Sequence, residues 1–90
     1  MPKGLGFDDA LHLLKEGKRL RRSIWKNVKF IFYVAGSRFT VNRAPLDRFF
    51  KENTEVEYNP HIDMCSFEST ISVWTASTGD ILAHDWEIVE

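Results

Sequence analysis

Residues 74–90, WTASTGDILAHDWEIVE, decide how the rest of the chain is read. Ser77 precedes Asp80 by three positions, the spacing at which a hydroxyl and a carboxylate satisfy free N–H groups at a helix start. Ile81, Leu82 and Ala83 continue that helix, and Trp86-Glu87-Ile88-Val89 then alternates as a strand does. Trp74 and Trp86 bracket the unit, either as core anchors or as pocket walls.

Upstream, Met64-Cys65-Ser66 and Thr70-Ile71-Ser72-Val73-Trp74 pair as a hairpin across Phe67-Glu68-Ser69. Glu55 to Tyr58 alternates as a strand that Pro60 stops, and Pro45 opens a helical turn through Leu46, Phe49 and Phe50. Phe39 to Asn42 is a short extended piece, and Gly36-Ser37 a turn. Lys29 to Ala35 carries apolar residues on both faces, which calls for cover on both sides. With one long helix available, the second cover is expected to be another copy of the chain.

Nearer the start, Lys18 to Arg22 reads as a short strand with Leu20 inward and its cations solvated. Phe7, Ala10, Leu11 and Leu14 recur at helical spacing, Asp8 and Asp9 sit near the positive helix start, and Gly17 stands where a left-handed cap is wanted. The spacing predicts a helix from Phe7 to Glu16. The expected fold is α+β: one domain over residues 1–90, a small antiparallel sheet packed against an N-terminal helix, one or two further short helices, and homo-oligomeric assembly. No repeats, linkers or low-complexity segments interrupt it.

Composition narrows the function. Seven Phe, three Trp and two Tyr in 90 residues are more bulk than a small core needs, so some belong to an interface or a site. A single cysteine, Cys65, excludes an intrachain disulfide framework and fits a reducing, cytoplasmic home. No apolar run approaches membrane-spanning length, and Met1-Pro2-Lys3-Gly4 leads into a helix, so a soluble, unprocessed chain is expected. A net charge of −1 lacks the basicity of a nonspecific DNA or RNA binder, although Lys18, Arg19, Arg21 and Arg22 cluster.

Catalytic signals are sparse. His61 and Asp63 lie two apart, where a strand would put both on one face as an acid/base pair requires. His12 and His84 form no ligand cluster, Cys65 has no local base, and Gly4-Leu5-Gly6 follows no strand; neither metal nor cofactor is expected. Binding signals are richer. Arg21-Arg22-Ser23-Ile24-Trp25 sets cations beside a ring, able to hold phosphate and stack a base, or else a solvated basic strand leading to a core tryptophan. Asn42-Arg43 before Ala44-Pro45 is a polar pair in a restricted backbone, or an ordinary turn.

Arg21-Arg22-x-x-Trp25, Phe39-Thr40-Val41-Asn42-Arg43-x-Pro45-Leu46, Pro60-His61-Ile62-Asp63-Met64 and Trp74-x-Ala76-Ser77-x-x-Asp80-x-Leu82-Ala83-x-Asp85-Trp86-Glu87-Ile88-Val89 follow one another in an order and spacing that resembles a phage and prophage family, the Thoeris anti-defence proteins of the second type. The resemblance implies a non-enzymatic sponge: a homo-oligomer, reported as a tetramer, that binds glycocyclic ADP-ribose made by bacterial TIR-domain enzymes and so keeps the downstream effector inactive. It also implies, for some members, uptake of cyclic oligonucleotides of the CBASS pathway at separate sites.

A ligand of that kind offers a purine, two phosphates and ribose hydroxyls. Carried onto matching positions, the resemblance assigns Trp25 and Trp74 to base stacking and Arg22 and Arg43 to the diphosphate. Asn42, Asp63, Ser77 and Asp80 are assigned to ribose or base edges. The chain departs from the family where Ile24-Trp25-Lys26-Asn27 replaces Gly-Trp-Asn-Gly, where Thr78-Gly79 replaces a Gln-Thr pair, and where Glu68-Ser69 replaces an Asp-Gly turn. The alternatives are a protein-binding inhibitor of a host defence component and a hydrolase of the same signal working through His61 and Asp63.

Overall fold

The computed structural model describes residues 4–90; the expected lead-in over Met1 to Lys3 lies outside the described residues. In chain order the elements are α1 (Phe7–Lys15), β1 (Arg19–Arg22), β2 (Val28–Val34), β3 (Ser37–Thr40), a 3₁₀ turn (Leu46–Arg48), β4 (Glu55–Tyr58), β5 (His61–Ser66), β6 (Ile71–Val73), α2 (Thr78–Leu82) and β7 (Trp86–Val89). The α+β class and the N-terminal helix are as the sequence predicts.

Helix α1 ends as expected. Gly17 takes φ +97, its N–H donates to the Leu14 carbonyl at 2.9 Å, and the Lys18 N–H donates to the Leu13 carbonyl at 3.1 Å. This paired bonding is the Schellman arrangement, which a glycine enters without a Cβ penalty. Ala10 and Leu14 are fully buried beneath the helix against the sheet.

The main sheet has the order β6-β5-β2-β1-β7, every neighbouring pair antiparallel. Its helix-side face is apolar because alternation puts Leu20, Ile31, Met64, Trp86 and Ile88 there, and Leu20, Ile31 and Trp86 are completely buried. The other face carries Phe30 and Phe32 from β2, Cys65 from β5 and, from β6, Ile71 and Val73, which are 61% and 67% exposed. The doubly apolar pattern of β2 therefore has one face inside the core and one outside it.

Strands β3 and β4 pair only with each other, from Ser37↔Tyr58 to Thr40↔Glu55, and form a second, two-stranded sheet. A radius of gyration of 16.1 Å, against roughly 12 Å for a close-packed chain of this length, fits a hairpin that stands apart from the main sheet. Phe49 is 73% exposed in the connection between the two strands. At the hairpin's base, a Cβ on Gly36 would come within 2.5 Å of the Tyr58 carbonyl oxygen, so only glycine fits that approach.

Most strand ends shift by a residue or two from the sequence reading, and three differences have a physical cause in the structure. Ser37 begins a strand where a turn was expected, because it pairs with Tyr58. Strand β5 starts at His61 rather than Met64, since Val34 and Tyr33 of β2 pair with His61 and Ile62 and extend the ladder to the proline. Ala83 has left the helix, at φ −72 and ψ 151, to lead into β7.

Candidate functional site

The start of α2 joins a helix cap to an ion-pair network. The predicted cap forms: the Ser77 hydroxyl accepts from the Asp80 N–H at 3.1 Å, while the Asp80 carboxylate accepts from the Ser77 N–H at 3.0 Å. Asp80 is only 8% exposed, and its charge is met by Arg22, whose Nη1 donates to it at 3.0 Å. Arg22 Nε donates to Asp85 at 2.9 Å, and the Ser23 hydroxyl reaches the second oxygen of Asp85 at 3.2 Å. The Trp86 indole N–H donates to the Asp80 carbonyl at 3.0 Å, which satisfies the polar tip of a fully buried ring.

These contacts set the charges. Burial pushes the Asp80 carboxyl up, but the Ser77 N–H, the Arg22 guanidinium and the Ser77 hydroxyl together hold it below the usual carboxylate value. Asp85 behaves alike, with burial opposed by Arg22 and Ser23 and the net shift downward. Arg22 is raised, chiefly by its hydrogen bond to Asp85. The expectation that the β1 cations stay solvated is thus corrected at Arg22, whose side chain is 16% exposed, because Trp86 opposite it on β7 brings α2 and Asp85 alongside.

Beside this node lies a cluster of rings. Trp25 meets Trp86 edge-on, with centroids 5.2 Å apart, and Trp74 at 6.2 Å; Trp74 meets Trp86 at 6.0 Å and 89°. Phe7 closes the group at 5.6 Å from Trp86 and 6.3 Å from Trp74. Trp86 is sealed within it, whereas Trp25 and Trp74 are half-buried and keep ring surface toward solvent.

Two hollows include residues expected at a site. A groove of about 450 Å³ runs between α1, the start of β5 and the Trp74 to Ala76 segment, with Phe7, Lys15, Tyr33, His61 and Trp74 among its lining. A second hollow, of about 520 Å³, is lined by Asn42, Arg43, Pro45, Phe39 and Tyr58 on the β3–β4 hairpin. Both have the volume of small-ligand sites.

The eight residues expected at a site therefore fall into groups. Arg22, Trp25, Trp74, Ser77 and Asp80 gather around the start of α2. Asn42 and Arg43 line the hairpin hollow, which contains neither tryptophan. Asp63 lies on the outer sheet face beside His61, whose Nε2 is 3.3 Å from the carboxylate and whose Nδ1 is 3.1 Å from the Asn59 carbonyl. Sequence reasoning gave no role to Asp85 and read Phe7 only as part of the apolar stripe of α1. The motif containing Asp85 was visible, but its partner Arg22 is 63 positions away and only the β1–β7 pairing joins them. Among the described residues no group of three or more His, Cys, Asp and Glu could hold a metal ion, and no helix is long and apolar enough to cross a membrane.

Fold and site together define a small α+β protein, built on a five-stranded antiparallel sheet with a two-stranded hairpin sheet, in which a tryptophan cluster packs around the buried Trp86 beside a helix cap. The family model described as the Thoeris anti-defense 2-like domain matches residues 5–89, and the chain belongs to that family. It is similar to a protein named Thoeris anti-defense 2 from Bacillus phage SP01, with 27% identity over 89 residues covering 99% of each chain.

Proposed function

We propose that this protein counters Thoeris anti-phage defence by sequestering its nucleotide signal, glycocyclic ADP-ribose or a related cyclic nucleotide, without turning it over. Cyclic oligonucleotides of the CBASS pathway belong to the same ligand class. The reading is carried by the half-buried Trp74, a ring available for stacking, which walls a groove of ligand volume next to the Ser77–Asp80 helix cap. Trp25 and Trp74 would stack on the base, Arg43 would meet phosphate, and Arg22 would do so through Nη2, which bonds no protein group among the described residues. Asn42, Asp63, Ser77 and Asp80 would bond ribose or base edges.

The working form is a homo-oligomer, a tetramer by resemblance, in the host cytoplasm. Its support is the outer sheet face: Phe30, Phe32, Ile71 and Val73 form an apolar surface of the kind that subunit interfaces cover. Asn42 and Arg43 sit apart from the tryptophans within one chain, so assembly is also the route by which both groups could meet one ligand.

Sequestration needs affinity at or below the signal's working concentration, and nanomolar binding corresponds to about −12 kcal/mol. Calorimetry against glycocyclic ADP-ribose isomers and cyclic di- and trinucleotides tests this directly; a panel without a single binder would sink the assignment. The contact between His61 and Asp63 favours one rival, hydrolysis of the signal. Denaturing the loaded protein separates the two, since a sponge releases its ligand unchanged and a hydrolase releases product.

A further inference from the structure

We propose that the groove along α1 seats the ligand's base and one of its anionic groups, with Lys15 as the anion's partner and Tyr33 as a second wall residue. This rests on the sequestration reading and names residues to which that reading gives no role. The first argument is the disposition of positive charge. Arg22 is shared between Asp80 and Asp85 with only Nη2 left for a ligand, Arg21 faces Glu87 at 3.6 Å, and Arg38 faces Glu55 and Glu57 at 3.2 and 3.6 Å. The Arg19 guanidinium lies over the Phe30 ring on the opposite sheet face, 5.1 Å from its centroid. Lys15 lines the groove and has no carboxylate partner among the described residues.

The second argument is shape. Phe7, Leu11 and Lys15 follow one another at four-residue steps, so they form one row along the helix, about 12 Å from end to end. The Phe7 end meets Trp74, and the far end carries the amine. A flat ring at one end and a cation at the other suit a base joined to a phosphate through a sugar. Tyr33, His61 and Thr75 add polar atoms along the wall.

The third argument is the helix itself. Lys15 stands in the last turn of α1, where the helix dipole disfavours an anion. An anionic ligand there depends on the lysine more than it would at a neutral surface. Lys18, three residues on, lies outside the groove and serves as a control.

The test is titration of the wild-type protein, Lys15→Ala, Lys15→Arg, Tyr33→Phe and Lys18→Ala with glycocyclic ADP-ribose, ADP-ribose, AMP and adenosine, read by calorimetry and by amide shifts in ¹⁵N spectra. Lys15 is exposed, so thermal melts of its variants should match wild type. The proposal expects K15A to weaken the phosphate-bearing ligands by about tenfold or more, as loss of one charge-assisted bond would. Lys15→Arg should restore most of that affinity, K18A should bind as wild type, and adenosine should ignore Lys15. Amide shifts should fall on Phe7 to Lys15 and on Trp74 to Ala76. A wild-type protein that binds glycocyclic ADP-ribose equally well as K15A would overturn the groove and spare the sequestration reading. Absence of binding by wild type to every probe would overturn the groove assignment, and would overturn the sequestration reading as well once cyclic di- and trinucleotides also fail to bind.

Discussion

Replacing Arg22 by alanine should destabilise the fold before it touches any ligand. The change removes hydrogen bonds of 3.0 Å to Asp80 and 2.9 Å to Asp85. Each is charge-assisted and worth roughly 1.5–3 kcal/mol net. It also leaves the Asp80 carboxylate, 8% exposed, without a counter-charge, and deleting one partner of a buried pair costs about 3–5 kcal/mol. The Asp85 side chain is 27% exposed, so water recovers part of its share and the lower end applies, about 3 kcal/mol. Unfolding entropy near 2.1 cal/mol/K per residue over this chain gives roughly 0.19 kcal/mol/K, so Tm should fall by about 15 °C. Urea unfolding followed by tryptophan fluorescence measures the free energy, and an Arg22→Ala, Asp80→Asn double-mutant cycle isolates the pair. Loss of under about 1 kcal/mol in R22A, or additive single changes, would refute the strut.

Ser77→Ala breaks the cap while leaving the Arg22–Asp80 pair, and should cost about 1 kcal/mol in urea; a larger drop in ligand affinity than in stability would make the hydroxyl a ligand group first. Phe32→Glu puts a charge on the outer sheet face, and sedimentation should show smaller species together with lost nucleotide binding; a monomer with intact affinity would refute a pocket that depends on assembly. Ser69 has φ +65 in the β5–β6 turn, so Ser69→Gly should raise stability by about 0.5 kcal/mol, measured as a shift in the urea midpoint. Asp80 and Asp85 titrate below their ordinary value in the fold, so their contribution is complete above about pH 4 and is lost as pH falls through the lower folded values; the acid limb of a pH–stability curve should be shallower in Asp80→Asn.

Local chemistry made much of this legible. The α1 stripe with Gly17 behind it and the Ser77–Asp80 spacing each refer to neighbours within a turn or two, and each forms as read. Leu20 could be placed inward for the same reason. The start of β5 was not legible, because Pro60 argues for a stop and only β2, nearly thirty positions earlier, supplies the partner that overrides it. Nor was the fate of Arg22: four cations among five residues look solvated until β7 lays Asp85 alongside.

What the sequence by itself determined is the set of elements, their caps, the α+β class and the resemblance that the family match bears out. The tertiary structure alone decided which side chains share a place. It sealed Trp86 while leaving Trp74 at a groove, committed Arg22 to two carboxylates, and set Asn42 and Arg43 on a separate hairpin. The reason is range: helix caps and strand alternation act over a few residues, whereas the pairing that orders β6-β5-β2-β1-β7 joins segments far apart in the chain and sets burial and charge there.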